Sequence, residues 1–321
     1  MTQVRAQILK LLRQGALVPS ELAKALQVSP SELRTHIDHL RSQGFDIALH
    51  PLLGFELGPA AERLLAEDIA SRMEDCWLKK IETLTSTAST NNLALECGAQ
   101  GDTGPIAFFA ETQTAGRGRF GRAWESQAGE GLWMSLLMHP SAPMQVWPRM
   151  TSIAALALAE TIESATPLQA QIKWPNDVLC EGRKVAGILA ETGSHPQTGP
   201  FIVLGIGLNV NQPFFPAPLS DTAVSMRMLC NSVLNRADLA AKLLTRFHTL
   251  VSGIETDFPS MLESVKNRSS LLGEAVTADI GGMRVEGVAD HLDPEGGLVL
   301  LLRDGSLRTL TAGEVTLRQS R

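Results

Sequence analysis

Three arginines spaced among glycines are the most chemically informative feature of the chain. They lie in Gln113-Thr114-Ala115-Gly116-Arg117-Gly118-Arg119-Phe120-Gly121-Arg122, directly after an apolar run. Glycine lets a backbone approach a ligand closely. Guanidinium forks grip phosphate or carboxylate through paired hydrogen bonds. Taken alone, a solvated basic loop fits these residues as well as a binding loop does. The spacing Gly116-x-Gly118-x-x-Gly121 formally matches a dinucleotide fingerprint, but that fingerprint needs a helix to open at the glycines. Here Arg122 to Gly131 continues as loop, which excludes the nucleotide-binding βαβ unit.

Further clusters carry compatible chemistry. In Lys173-Trp174-Pro175-Asn176-Asp177 the proline sets an extended or turning backbone. Asn176 beside Asp177 offers an amide for a base edge and a carboxylate for a metal. In Lys184-Val185-Ala186-Gly187-Ile188-Leu189-Ala190-Glu191, Gly187 on a strand reads as a place of close ligand approach, with Lys184 as a cation for phosphate. A plain surface hairpin is the competing reading. Gly205-Ile206-Gly207-Leu208-Asn209 closes an apolar strand, and its paired glycines suit the approach of a flat ring. Ser89-Thr90-Asn91 reads first as a helix cap, and also as donors and hydroxyls for a polar ligand group. No Ser/His/Asp triad, metal-ligand cluster or enzyme nucleophile emerges. Arg, Lys, Asn and Gly without a nucleophile fit phosphate-ester chemistry run by positioning and electrostatics.

The elements that must hold these residues fall into an α+β multidomain plan. Residues 1–60 read as a winged helix-turn-helix. Val4, Ile8, Leu11 and Leu12 keep helical spacing up to Gly15; Ser20 is placed to cap a second helix; Ser29-Pro30-Ser31-Glu32 has the form of a capping box. Leu33, Ile37 and Leu40 form the next buried stripe, and Phe45–Leu49 with Gly54–Leu57 form a wing. Arg34, Thr35, His36 and Arg41 are the candidate DNA contacts. The footprint is weak: six Lys/Arg against five Asp/Glu in residues 1–60 give +1. A helical packing domain without a DNA target is nearly as good a reading. Residues 61–80 read as a linking helix, 81–268 as a mixed α/β catalytic domain, and 269–321 as a small β-barrel with turns at Gly281-Gly282, Asp293–Gly297 and Asp304-Gly305.

Composition narrows the classes. The chain has 321 residues, a net charge of −6, four scattered cysteines and no CxxC pair. No apolar run reaches membrane-spanning length, and the N-terminus lacks a continuous apolar signal core. The expectation is a soluble, cytoplasmic protein without a disulfide framework.

In order, Ser89-Thr90-Asn91, Gln113-x-x-Gly116-Arg117-Gly118-Arg119, Lys173-Trp174-Pro175-Asn176-Asp177, Lys184-x-Ala186-Gly187-Ile188-Leu189-x-Glu191 and Gly205-x-Gly207-x-Asn209 resemble the signature set of biotin–protein ligases. Order and spacing are similar to those of the bifunctional bacterial form, which doubles as biotin operon repressor. The likeness extends from the winged domain to Ala312-Gly313-Glu314-Val315-x-Leu317-Arg318. It implies an SH3-like C-terminal domain and two half-reactions. The biotin carboxylate attacks the α-phosphorus of ATP, with Mg²⁺, to give biotinyl-5′-AMP and pyrophosphate; a lysine of a biotin carboxyl carrier protein then attacks the mixed anhydride and releases AMP. It further implies that Lys184, Arg117 and Arg119 are catalytic. Ser89, Thr90, Asn91, Gln113, Gly116, Arg117, Gly118, Arg119, Lys184, Gly187, Gly205 and Gly207 would bind biotin. Arg119, Arg122, Asn176, Lys184 and Asn209 would face the nucleotide, and Asp177 the Mg²⁺. Operator DNA and an adenylate-dependent homodimer follow from the same likeness.

Two departures stand out. Pro51-Leu52-Leu53-Gly54 lacks the wing lysine of the operon-binding relative, and Phe214-Phe215-Pro216-Ala217-Pro218 is unusual for a segment that helps to cover the adenylate. Phe214 or Phe215 is placed either to stack on adenine or to pack as a surface loop. A lipoate–protein ligase and a biotin-sensing repressor without transfer activity are the alternatives. The hydroxyl pair Ser89-Thr90 suits a ureido ring better than a dithiolane, and a sensor without transfer activity would be expected to lose Lys184 or the arginine loop.

Overall fold

A computed structural model of the protein describes residues 2–59 and 63–317. Helix α1 (Thr2–Gln14) ends at Gly15, which takes a positive φ. Helix α2 (Pro19–Leu26) is not capped by Ser20. Pro19 occupies its first turn after an extended Val18, so the helix starts before the serine. Helix α3 (Pro30–Ser42) carries the expected capping box: Ser29 Oγ accepts from the Glu32 N–H, and the Glu32 carboxylate accepts from the Ser29 N–H at 2.8 Å. Strands β1 (Ile47–His50) and β2 (Gly54–Leu57) form the wing. Its first strand begins later than Phe45 because the Phe45 N–H still closes the end of α3 on the Leu40 carbonyl. The wing is tied back through backbone bonds between Leu17 and Phe55, so close that a Cβ at Gly54 would stand 2.2 Å from the Leu17 carbonyl oxygen. Ile8, Leu9, Leu12, Leu22, Leu33, Ile37 and Leu40 close this part's own core.

Of the segment expected as a linking helix over 61–80, residues 61 and 62 lie outside the described residues, and the described remainder holds one short helix, α4 (Ala66–Arg72). Asp68 on it is 1% exposed, and it accepts from Arg13 of α1 and from Arg72 at 3.0 Å. A buried carboxylate is stable only when so paired, so this cluster fastens α1 to α4.

The central part runs β3 (Lys80–Thr87), α5 (Thr90–Ala99), β4 (Ile106–Gln113), β5 (Gly131–Met138), α6 (Arg149–Ala165), β6 (Gln171–Lys173), β7 (Asp177–Cys180), β8 (Arg183–His195), β9 (Gly199–Asn209), α7 (Met226–Cys230), α8 (Arg236–Val251) and α9 (Phe258–Lys266). Its seven-stranded sheet has the order β3-β4-β5-β9-β8-β7-β6; only β3 and β4 pair in parallel. Strand residues alternate between faces. Phe109, Met134, Leu136 and Leu204 join the large core with α6 and α8. Ile106, Phe108, Leu137 and Val203 pack on the other face with Ala94 of α5.

The C-terminal part is an antiparallel sheet of β10 (Ala275–Ile280), β11 (Met283–Leu292), β12 (Leu298–Leu301), β13 (Leu307–Leu310) and β14 (Glu314–Leu317), in the order β13-β12-β11-β10-β14. Strands β13 and β14 are its two edges, so among the described residues the expected barrel is an open sheet. Arg318, the last residue of the terminal motif, lies outside the described residues. Val276, Ala278, Leu298 and Leu300 share the large core with the central part, and the Trp174 indole N–H donates to the Gly296 carbonyl at 3.0 Å. No helix among the described residues is long and apolar enough to cross a membrane.

Candidate active site

The α5 face of the sheet carries a patch stripped of side chains. Gly187 on β8 pairs directly with Gly207 on β9, and Gly207 with Trp133 on β5; in the neighbouring row Leu189 pairs with Gly205, and Gly205 with Ser135. These residues share one face, and the glycines make it a trough. A cavity of about 840 Å³ opens over it, lined by residues of every cluster singled out in the sequence.

The trough is covered by protein side chains. A Cβ at Gly207 would stand 2.4 Å from the Trp124 indole, one at Gly187 2.9 Å from the same ring, and one at Gly205 2.1 Å from Asn91 Oδ1. Where the sequence leads one to expect a flat ligand ring, Trp124 lies against Gly187 and Gly207 and Asn91 against Gly205; Trp124 is held there by a short ladder in which Trp124 N–H donates to Gly116 O and Gly118 N–H to Arg122 O. This ladder also explains Gly116, where a Cβ would collide with the Trp124 carbonyl at 2.4 Å. Arg119–Gly121 forms a single 3-10 turn, with no helix opening at the glycines.

Four basic groups over the trough have partners from other elements. Arg117 is paired with Glu191 at 2.9 Å, Lys184 with Asp177 at 2.7 Å, and Arg122 with Glu314; Arg119 donates to Asn176 Oδ1 at 2.9 Å. Burial holds the Arg119 guanidinium below its usual range, while the Glu314 carboxylate beside Arg122 raises that arginine and is itself lowered by the contact. Lys184 Nζ also lies 5.1 Å from the Trp124 ring centre. Asp177 Oδ1 is buried, and although Lys184 Nζ is close the contact has no hydrogen-bond alignment, so the pair is one of charge rather than of directed bonding.

The head of α5 is organised otherwise than a simple cap. Ser89 stands at the N-cap but its side chain makes no cap bond; the Thr90 N–H is instead taken by Gln113 Oε1 at 2.8 Å. Ser89, Thr90 and Asn91 are all buried, and all line the cavity. Asn176 spends its amide N–H on the Ile188 carbonyl at 2.9 Å. Asn209 borders the cavity, but its amide donates to the Val224 carbonyl at 3.2 Å and its oxygen accepts from Gln212. Phe215 lines the cavity, whereas Phe214 is 68% exposed.

Sequence reasoning gave no role to Trp124, Ser135 or Glu191. The signals were slight: one serine in an apolar strand, and one glutamate at the end of a recognised motif. It also missed the buried pair of Glu111 and Arg236, joined at 2.8 Å across 125 positions.

On the winged domain, Arg34 and Thr35 are exposed on α3 and His36 is half-buried. Desolvation, with Arg5 as the next cause, holds the His36 imidazole below its usual range, so at neutral pH it is an uncharged group. Arg41 donates to the Ile47 carbonyl at 2.8 Å and lies over the Phe55 ring, which engages it with the wing. Leu52 and Leu53 are exposed at the wing tip.

Three family models match the chain: the biotin/lipoate A/B protein ligase family over residues 83–209, bacterial regulatory proteins of the arsR family over 2–45, and the biotin protein ligase C-terminal domain over 271–318. The bifunctional ligase/repressor BirA of Bacillus subtilis is 32% identical over 307 residues, 91% of each chain. The biotin–[acetyl-CoA-carboxylase] ligase of Mycobacterium tuberculosis is 33% identical over 74% of this chain and 88% of its own. The structure of the Aquifex aeolicus biotin protein ligase in complex with biotin and ATP superposes with a TM-score of 0.66 at 29% identity, covering 75% of this chain and all of that one. Since the likeness to the Bacillus protein spans the winged, central and C-terminal parts together, the chain belongs to the family of bifunctional biotin–protein ligases and repressors.

Proposed function

We propose that the glycine-floored cavity binds biotin and ATP, forms biotinyl-5′-AMP, and delivers biotin to a lysine of a biotin carboxyl carrier protein. The observation that carries this reading is the convergence of Arg117, Arg119, Arg122 and Lys184 on one glycine-floored trough. A carboxylate and a triphosphate repel each other, and fixed cations in a water-poor site offset that repulsion. Arg117, Arg119 and Lys184 act on the reacting groups. Thr90, Gln113 and the backbone at Gly116 and Gly118 receive the polar ring of biotin, with Ser89 and Asn91 beside them. Gly187, Gly205 and Gly207 leave room for its apolar side, and Trp124 must shift or repack as the ligand enters. Asn176 and Arg122 face the nucleotide, Phe215 is the aromatic placed to meet adenine, and Asn209 shapes that end. The test mixes the protein with ATP, biotin and a carboxyl carrier domain, then probes the carrier for bound biotin; an unlabelled carrier would overturn the reading.

No group of three potential metal-holding side chains exists among the described residues. Mg²⁺ commonly takes one or two carboxylates and draws its other ligands from phosphates and water. Asp177, with a buried oxygen that makes no hydrogen bond, fits that single protein role. Bound there, Mg²⁺ would neutralise charge on the triphosphate, and Asp177 would give up Lys184.

We read 1–60, 61–80, 81–268 and 269–321 as the functional units, the last as an SH3-like domain. In support, residues 1–60 contribute nearly all of a core of their own, and β11 carries the bulge between Ala289 and His291 that bends such a sheet. Cytoplasmic placement accords with this function.

The loop 113–131 has no regular element longer than one 3-10 turn, and its arginines are engaged through exchangeable surface pairs; adenylate is expected to take over those arginines and hold the loop more firmly. Trypsin is expected to cut after Arg117, Arg119 or Arg122 in the free protein, and at least about tenfold more slowly with biotin and ATP present. Equal cleavage in both states would count against this role.

The winged domain reads DNA as a pair. One domain with a net charge of +1 makes too few phosphate contacts to bind tightly; an adenylate-bound homodimer on a two-fold operator doubles them. Arg34, exposed on α3, is the contact to test, with Thr35 beside it. Arg34→Ala is expected to weaken operator binding about tenfold and to lower the salt slope by about one, with biotin transfer retained. A mobility shift with the promoter of the host's own biotin genes, run with and without biotin and ATP, measures it; an unaltered shift would remove Arg34 from the interface.

A further inference from the structure

We infer that the charge cluster around Asp68 fixes the pose of the winged domain on the catalytic body, and so sets the half-site spacing that the repressor accepts. The inference rests on the reading that two adenylate-bound copies bind one two-fold operator.

Three cations of α1 reach α4 and its flank at separate places. Arg5 pairs with Glu67 of the first turn at 3.4 Å, Arg13 donates to Asp68 and to Ser71, and Lys10 donates to the Glu74 carbonyl at 2.9 Å, just past the C-terminal end of the helix. Contacts spread over the length of a helix resist sliding, tilting and rolling together, where a single contact would act as a pivot. Helix α4 is held in turn from its other side. Asp68 also accepts from Arg72 at 3.0 Å, and Arg72 lies 3.8 Å from Asp238 of α8. A continuous run of alternating charge, Arg13–Asp68–Arg72–Asp238, therefore joins the winged part to the central part.

Apolar packing follows the same line. Leu65 has an extended backbone just before α4, and successive side chains of an extended chain point opposite ways. Leu65 enters the core of the winged part, while Leu64 and Ile69 enter the large core. Asp68 is the least replaceable member of the cluster. It is buried, so it cannot exchange a lost guanidinium for water, whereas exposed pairs do so at little cost.

Leu33, Ile37 and Leu40 of α3 share one core with Ile8, Leu9 and Leu12 of α1, so a fixed α1 is a fixed α3. In a two-fold pair the distance and the turn between the two α3 helices are then set by the protein. One base pair inserted between half-sites moves one of them away by about 3.4 Å and turns it by about 35° around the DNA axis. A domain on a loose tether follows such a shift by swinging, at small cost. A clamped domain must break the cluster or deform the DNA.

Mobility shifts with the full-length protein, biotin and ATP compare the promoter fragment of the host's own biotin genes with copies carrying one or two extra base pairs at the centre of its two-fold footprint. The wild type is expected to lose at least about tenfold in affinity on the one-pair insertion. Arg13→Ala leaves Asp68 paired with Arg72, and there the loss is expected to stay within about threefold, with biotin transfer to the carrier unchanged. An Arg13→Ala protein that loses affinity for every fragment by one common factor would show that the cluster only stabilises the fold, and would overturn the inference. So would a wild type that binds every spacing alike. If Arg13→Ala binds no fragment, Asp68→Asn, which keeps the side-chain shape, is read in the same way, and loss of all binding there as well counts against the inference. A wild type that shows no ligand-dependent shift of the unaltered fragment would overturn the repressor reading and this inference with it.

Discussion

Replacing Lys184 by alanine is expected to slow biotin-dependent pyrophosphate exchange by about 10²- to 10³-fold, the usual effect of removing one fixed charge-stabilising donor from a preorganised site. The main chain at Lys184 is anchored on both sides: its N–H donates to the Thr222 carbonyl at 2.8 Å and its carbonyl accepts from Val224 at 3.0 Å. The side chain alone reaches into the cavity, where Asp177 and the Trp124 ring bracket it. The substitution thus removes the cation without moving the strand that carries it. Thermal unfolding should be nearly unchanged, since the ion pair that is lost is partly exposed and such pairs contribute about 1 kcal/mol or less. Exchange at close to the wild-type rate would remove Lys184 from the mechanism.

A second large effect is expected far from any ligand. Glu111→Ala should lower stability by about 3–5 kcal/mol, because it leaves a buried guanidinium without its carboxylate. Arg236 is 5% exposed, and Glu111 accepts from it at 2.8 and 3.2 Å. Glu111 also accepts the Leu64 N–H at 2.6 Å and the Gly129 N–H at 3.1 Å. One carboxylate therefore joins the segment leading from the winged domain, the far end of the arginine loop and the start of α8. In a chain of this size the loss corresponds to a fall in melting temperature of about 5–7 °C, readable by calorimetry. Trypsin should also cut the loop faster even with biotin and ATP present. A melting temperature within about 2 °C of the wild type would mean that the pair stays solvated and carries little energy.

What the sequence made legible follows from the range of each interaction. The capping box at Ser29 and Glu32 is local, so residue types three apart reveal it. Strands β4 and β9 follow from the apolar runs that lead up to Gln113 and to Asn209. Ser20 failed as a cap because Pro19, one residue earlier, already starts the helix. The linking helix shrank to Ala66–Arg72 because the chain that follows must extend to reach the sheet edge at Lys80. The trough was half legible. Glycines at Gly187, Gly205 and Gly207 announced a close approach, but the groups that make it, Trp124 and Asn91, come from elements distant in sequence. Glu111 with Arg236 and Glu191 with Arg117 were invisible for the same reason: each partner is ordinary until the fold brings them together.

The pairing of the basic groups over the trough has one further consequence. The resting site carries its own counter-ions in Glu191, Asp177 and Glu314, so it projects little net positive field into solution. A free phosphate or sulfate would have to evict a carboxylate already in place, gaining one contact and losing another of the same kind. A ligand that bears a carboxylate and a polyphosphate and fills the trough between them can release several carboxylates at once while burying apolar surface. Occupancy by stray cellular anions is thereby suppressed through exchange of partners, without a physical gate.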